Sequence, residues 1–383
     1  MTSRNMAQNM TCHLDTLLAR TGTEPDSETG ALAPPIHTAS TYVRNSDGQP
    51  GPFVYSRLGN PTRLRFEEAL ASAEGGARAM GFSSGMTAAM TICQALDPGD
   101  HIILPHDIYF GVRTLIMDHF VRWGLEVSEV DQRDQAAVEE AIQHNTRLVW
   151  VETPSNPQLN IIDIQAMADV AHNAGARLIV DNTWSTPLIT RPIDHGADVV
   201  LHSVTKYLGG HSDVLGGALV FAREDDLCER VSSLSDEGGA VLDPFGSWLV
   251  MRGMRSLGPR LRQQSATAMH IATWLEAHDS VEAVHYPGLP SHPGHAIATR
   301  QMALFGGMLS FRVNGGPTMA LEVVRRSRLF ANATSLGGTE SLMEHRASIE
   351  GEDSPTPRNL LRMSVGLEHA EDLLADLHAA LAT

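Results

Sequence analysis

Cysteine is scarce in this chain, with three residues in 383: Cys12, Cys93 and Cys228. They are widely spaced and form no Cys-x-x-Cys pair, which argues against a disulfide framework or a zinc ribbon and fits a reducing cytosol. Basic residues are also few. Against 45 Asp plus Glu there are 28 Lys plus Arg, a net charge of −17. That excludes the broad basic face a nucleic acid or an anionic membrane wants, but not a local basic pocket for a small anion. No apolar run is long enough to span a bilayer, and the opening MTSRNMAQNMTCHLDTLLAR shows no secretory signal. A cytoplasmic protein is expected.

Several motifs are missing too. There is no GxGxxG after the first strand and no GxxxxGK[ST], which removes the common nucleotide-binding folds. The run His285-Tyr286-Pro287-Gly288-Leu289-Pro290-Ser291-His292-Pro293-Gly294-His295 is rich in histidine. Its prolines imply an irregular loop and no HExxH or carboxylate pattern accompanies it, so no metal is expected.

What is present is an α/β pattern. The length is too great for one ordinary core, and 42% hydrophobic content places the chain among soluble globular proteins. Residues 1–61 read as an arm. A short helical piece near His13–Leu18 is followed by a Pro/Gly/Thr-rich stretch that cannot build its own core and must lie on the main body or on another subunit. Residues 62–245 alternate apolar runs with helical stretches. The strand candidates are 78–82, 101–104, 125–130, 146–151, 177–180, 198–201 and 217–221, and helices are expected at 135–144 and 163–174. This alternation predicts a mostly parallel sheet covered by helices, with ligands at the carboxyl ends of the strands. Residues 246–383 suggest a smaller α+β domain. A long helix is expected from Pro244 into the 270s, strands at 308–313 and 361–365, and helices at 318–328 and 370–381.

Three strand candidates finish in polar clusters: Glu152-Thr153-Pro154-Ser155-Asn156-Pro157, Asp181-Asn182-Thr183 and His202-Ser203-Val204-Thr205-Lys206. In a parallel sheet they converge on one crevice, with Asp181 beside Lys206. An acid at one strand end and a lysine on the next is what pyridoxal phosphate demands. The lysine supplies a Schiff base, and the acid keeps the pyridine nitrogen protonated. A phosphate group wants backbone N–H groups at a helix start and hydroxyls. The turn Ser83-Ser84-Gly85-Met86 supplies the first, Ser203 and Thr205 the second. Tyr109 follows another strand and can stack on a ring. Each feature alone is more often a cap, a solvated charge or packing; their joint order along the chain points to a cofactor site.

These segments resemble the trans-sulfuration (Cys/Met metabolism) family of pyridoxal-phosphate-dependent enzymes, of cystathionine γ-synthase/γ-lyase type. The resemblance runs through Tyr55-Ser56-Arg57-Leu58-Gly59-Asn60-Pro61-Thr62-Arg63, Ser83–Met86, Glu152–Pro157, Asp181-Asn182-Thr183-Trp184, HSVTKYLGGHSD (202–213), Tyr286–Pro293 and Ser335-Leu336-Gly337-Gly338-Thr339-Glu340-Ser341-Leu342. It implies the fold type I architecture of these enzymes. It implies Lys206 as the Schiff-base lysine and proton shuttle, Asp181 on the pyridine nitrogen, and Gly85, Met86, Ser203 and Thr205 on the phosphate. Tyr109 is implied as the stacking and acid/base tyrosine. Tyr55 and Arg57 are implied to reach the neighbouring subunit's cofactor within a homotetramer of two active dimers. Arg362, helped by Asn156 and Ser335, is implied to grip the substrate α-carboxylate. The implied reaction is γ-replacement or γ-elimination on a sulfur-bearing or O-activated amino acid. A β-lyase is the alternative, and a catalytically silent scaffold is a remote third.

The chain departs from the family pattern in places. Where cystathionine γ-enzymes often carry acids for the distal ammonium, it has Val54 and Thr334; Gly111 stands where methionine γ-lyases tend to have cysteine. The segment Glu344–Gly351 also differs. Its Arg346 and Glu350 read either as subfamily determinants or as an exposed charge pair.

Overall fold

The computed structural model describes residues 12–351 and 356–382; residues 1–11, the first part of the stretch read for a targeting signal, lie outside the described residues. Seven strands form the larger sheet: β1 (Arg78–Phe82), β2 (His101–Pro105), β3 (Glu126–Val130), β4 (Thr146–Glu152), β5 (Arg177–Asp181), β6 (Val199–His202) and β7 (Gly217–Phe221). Their order is β1-β7-β6-β5-β4-β2-β3. From β6 to β3 all neighbours are parallel, while β7 runs antiparallel to both β6 and β1. The sheet is therefore mostly parallel, as the alternation of strands and helices predicts.

The period-2 pattern of the strands divides the core. On one face Ile102, Leu104, Leu148, Trp150, Ile179 and Leu201 pack with the helices Gly85–Gln94 and Asp226–Gly238. On the other, Ile103, Val149, Val151, Leu178 and Val180 pack against the helix Ile164–Asn173. Each buried aliphatic side chain contributes about 1.5–3 kcal/mol. The central strands are apolar on both faces because helices cover both, and this fixes the register that aligns their polar ends.

A second sheet contains β8 (Val281–His285), β9 (Met308–Val313), β10 (Leu342–His345) and β11 (Leu360–Ser364) in the order β10-β11-β9-β8, all antiparallel. Short strands β8 and β10 were not expected from the sequence. The long helix expected from Pro244 is two helices, Pro244–Met254 and Leu257–Glu276. Pro259 explains the break. It lacks an N–H and its ring would crowd the carbonyl four residues earlier, so it is at home only in the first turn of the second helix. Arg260 Nη2 donates to the Gly253 carbonyl at 2.8 Å and to the Tyr207 carbonyl at 2.9 Å. This ties the break to the turn that carries Lys206.

Candidate functional site

The carboxyl ends of β4, β5 and β6 form one rim. Glu152 and Asp181 are directly opposite each other in the β4–β5 register. Lys206 lies four residues beyond His202, in a turn stitched by Lys206 N to Ser203 O (3.1 Å) and Gly209 N to Val204 O (2.9 Å). It is the only lysine in the sequence. Its Nζ donates to Ser335 Oγ at 2.7 Å. Burial pulls this amine down to about 8; the Arg362 charge pushes the same way and Glu344 opposes.

Asp181 accepts from Thr183 N at 3.0 Å, and burial raises its carboxyl above the ordinary range against that hydrogen bond. Glu152 is raised well above it, first by burial and then by the charge of Asp181. Its Oε2 accepts from Tyr109 N at 2.6 Å, which docks the loop carrying Tyr109 onto the rim. The Tyr109 ring is partly exposed and stands over Gly111, where an added Cβ would come within 2.7 Å of it. A side chain at 111 would displace the ring.

The helix Gly85–Gln94 starts at the rim, with Ser84 Oγ accepting from Thr87 N at 3.0 Å. A Cβ on Gly85 would lie 2.9 Å from Ser203 Cβ, so the helix start and the residue after β6 nearly touch. Met86 Sδ would be 3.3 Å from a Cβ at Gly111, which places Met86 beside the Tyr109 loop. The Thr205 hydroxyl is engaged with Gly216, donating to its carbonyl (3.1 Å) and accepting from its N–H (3.0 Å). Tyr55 and Arg57 stand apart from this group. Arg57 donates to the Asp236 carbonyl near the end of the helix Asp226–Gly238, and its guanidinium carbon lies 5.7 Å from the Tyr55 ring centroid.

Arg362, on β11, is buried and well supplied with acceptors. Nη1 donates to Asn156 Oδ1 (3.0 Å) and Nη2 to Ser335 O (3.0 Å), and Nη2 also forms an ion pair with Glu344 Oε1. Burial lowers its guanidinium to about 10, with Glu344 opposing. Arg346 Nη1 reaches the same Glu344 oxygen at 3.1 Å, and its Nη2 pairs with Glu350 Oε1 at 2.7 Å. Arg346 and Glu350 are thus not an exposed charge pair: their side chains are 6% and 5% exposed. A charge pattern that looks solvated in sequence is buried here because β10 lays Glu344 directly across from Arg362.

Three acids were given no role by sequence reasoning: Glu74, Glu152 and Glu344. Glu152 closes a strand and was visible as part of a polar cluster. Glu74 lies 108 residues from its partner Asn182 and 128 from His202, with Oε1 at 2.9 and 2.6 Å from them. It accounts for the buried His202. His211 faces the Gly209 carbonyl at 2.9 Å. In the histidine-rich loop, His292 Nδ1 accepts from Gly294 N and His295 Nδ1 faces the Pro287 carbonyl. No helix among the described residues is long and apolar enough to cross a membrane.

The sheet, its rim and the partly buried lysine define a cofactor-dependent α/β enzyme, and comparison with known proteins says which kind. The family model for Cys/Met metabolism PLP-dependent enzymes matches residues 15–382. A cystathionine gamma-synthase of Mycobacterium tuberculosis is 47% identical over 367 residues, covering 94% of each chain. A cystathionine beta-lyase of Coxiella burnetii is 42% identical over 390 aligned positions, covering 100% of each. The crystal structure of cystathionine gamma synthase from Xanthomonas oryzae in complex with cystathionine superposes with a TM-score of 0.94 at 40% identity, covering 97% of this chain and 98% of that one. The chain belongs to the Cys/Met metabolism family of PLP-dependent enzymes.

Pyridoxal phosphate is the cofactor of this family, and the rim suits it. The only lysine is partly buried with a depressed amine, a partly buried acid closes the neighbouring strand, and a ten-residue helix opens beside Ser203 where a Cβ on Gly85 would not fit.

Proposed function

We propose that the protein catalyses γ-replacement or γ-elimination on sulfur-bearing or O-activated amino acids, in the manner of cystathionine γ-synthase and γ-lyase. The observation that carries this is the hydrogen-bonded chain Lys206–Ser335–Arg362–Asn156, which joins the rim of the large sheet to the second sheet. It sets an amine beside an arginine that can hold an amino acid's carboxylate.

In this reading Lys206, Asp181, Gly85, Met86, Ser203, Thr205 and Tyr109 hold the cofactor. Tyr55 and Arg57, on the arm 1–61, reach the neighbouring subunit's cofactor. The arm carries exposed apolar side chains such as Leu32 (70% exposed) and Val43 (93%), which suit an interface. The division into a 62–245 cofactor domain and a 246–383 domain, a homotetramer and a cytoplasmic location complete the reading. Bound pyridoxal phosphate supplies an aldehyde that amines capture in turn and a ring that takes up electrons from the substrate.

The chain's own residues do the rest. Arg362 orients the substrate by its α-carboxylate, with Asn156 and Ser335 fixing the guanidinium. Lys206, with an amine near 8, is partly unprotonated close to neutral pH. It removes the α-proton and, for a γ-leaving group, must give that proton up before the freed amine can take a β-proton. In this reading Tyr109 moves a proton at the leaving group. Val54 and Thr334 offer no charge to a distal ammonium, which favours an O-acyl-homoserine as the amino acid that binds first. The 42% identity to a beta-lyase over its whole length favours β-elimination as the second reading. Intact Lys206, Asp181 and Arg362 speak against a silent scaffold.

Product identity tests this. With an O-acyl-homoserine and cysteine the holoenzyme is expected to form the thioether, and with cystathionine alone to release 2-oxobutanoate. Pyruvate as the sole keto acid, with no thioether formed, overturns it.

A further inference from the structure

Arg346 and Glu350 have no part in the steps above, yet their side chains are buried, Arg346 within electrostatic reach of Lys206 and Arg362 and Glu350 within reach of Arg362. The fork geometry of Arg362 assigns them one. A guanidinium offers a carboxylate two paired edges, Nη1 with Nη2 and Nε with Nη2, and each edge uses one Nη2 hydrogen. The Ser335 carbonyl takes one Nη2 hydrogen, and Glu344 Oε1 crowds the same Nη2 in an ion pair. A substrate carboxylate that binds bidentately must therefore displace one of them. The Ser335 carbonyl is main chain, held in a turn where Ser335 has φ 83° and Gly337 N donates to Ser364 Oγ at 2.9 Å. Glu344 is a side chain. Its Oε1 already touches Arg346 Nη1 at 3.1 Å, and its Oε2 is buried with no partner. Arg346 is kept in place by Glu350, which Thr356 Oγ1 contacts at 2.6 Å.

We infer that Glu344 is a resident carboxylate that occupies Arg362 in the ligand-free enzyme and shifts onto Arg346 when a substrate carboxylate arrives. Arg346, braced by Glu350, is a positioning residue whose charge makes that exchange favourable and so sets the enzyme's affinity for α-carboxylates. Without Arg346, Glu344 has Arg362 as its remaining partner and competes harder with the ligand. This rests on the assignment of Arg362 above.

The test is a visible-absorbance titration of the holoenzyme with L-alanine, which carries the carboxylate but no leaving group, and with ethylamine, which carries no carboxylate. Arg346→Met is expected to weaken L-alanine by about tenfold or more, the scale of one charge-assisted hydrogen bond, and to leave ethylamine unchanged. Arg346→Lys should recover most of the loss. Glu344→Gln is expected to tighten L-alanine, because the resident competitor is gone. A merely structural role predicts the opposite, since removing Glu344 would loosen Arg362. Weaker L-alanine binding in Glu344→Gln, or an equal loss for L-alanine and ethylamine in Arg346→Met, overturns the exchange. Arg362→Leu serves as the reference. If it leaves the preference for L-alanine over ethylamine intact, the assignment of Arg362 fails, whatever Arg346 and Glu344 do.

Discussion

Replacing Lys206 with methionine is expected to make the apoprotein more stable, by an amount that depends on pH. The amine titrates at about 8 in the fold against 10.5 for an ordinary lysine, chiefly because it is buried. That gap of about 2.5 pH units corresponds to roughly 3 kcal/mol of lost stability below pH 8. Methionine has similar bulk and carries no charge to desolvate, but it forfeits the hydrogen bond to Ser335 Oγ, a loss of about 1 kcal/mol. The net gain at pH 7 is about 2 kcal/mol. The sign with pH follows from proton binding. Between about pH 8 and 10.5 the unfolded chain holds this proton and the folded protein does not, so the wild type gains stability as pH rises through that window. The difference between wild type and Lys206→Met should therefore shrink on going from pH 7 to pH 10. Urea denaturation of the two apoproteins at both pH values measures it. A wild type at least as stable as the variant at pH 7, or a difference that does not change with pH, refutes the reasoning. A fold that spends stability to keep one amine buried and reactive is a trade expected at a catalytic centre.

Two further perturbations follow from the same geometry. Arg362→Leu should raise KM for the amino-acid substrate by about a hundredfold or more, the scale of a bidentate charge-assisted pair, while the bound cofactor's colour persists; loss of colour instead would mean that Arg362 holds the cofactor. Gly85→Ala should weaken pyridoxal phosphate binding in equilibrium dialysis, because its Cβ would sit 2.9 Å from Ser203 Cβ; unchanged affinity would remove the helix start from the phosphate site.

Much of this molecule was legible because its strands are short, apolar on both faces and separated by helical patterns. Such strands have one way to pack, and their polar ends at 152, 181 and 202 then share a rim. The break between Met254 and Leu257 was written in Gly258-Pro259, a helix-start signal hidden within a longer helical pattern. The charged cluster was harder. Nothing in Glu344-His345-Arg346 distinguishes a solvated segment from a buried one, because the answer depends on Arg362 lying across the strand pair from Glu344. The unusual status of Lys206 was available from counting alone, since the chain has no other lysine.

That count makes one measurement decisive for the claim that Lys206 anchors the cofactor. Borohydride reduction of the yellow holoenzyme is expected to add one pyridoxyl phosphate group to the intact protein, on the peptide containing Lys206, and to add none to the lysine-free Lys206→Met variant. An unchanged mass for the reduced wild type, or the same adduct in the variant, would contradict it.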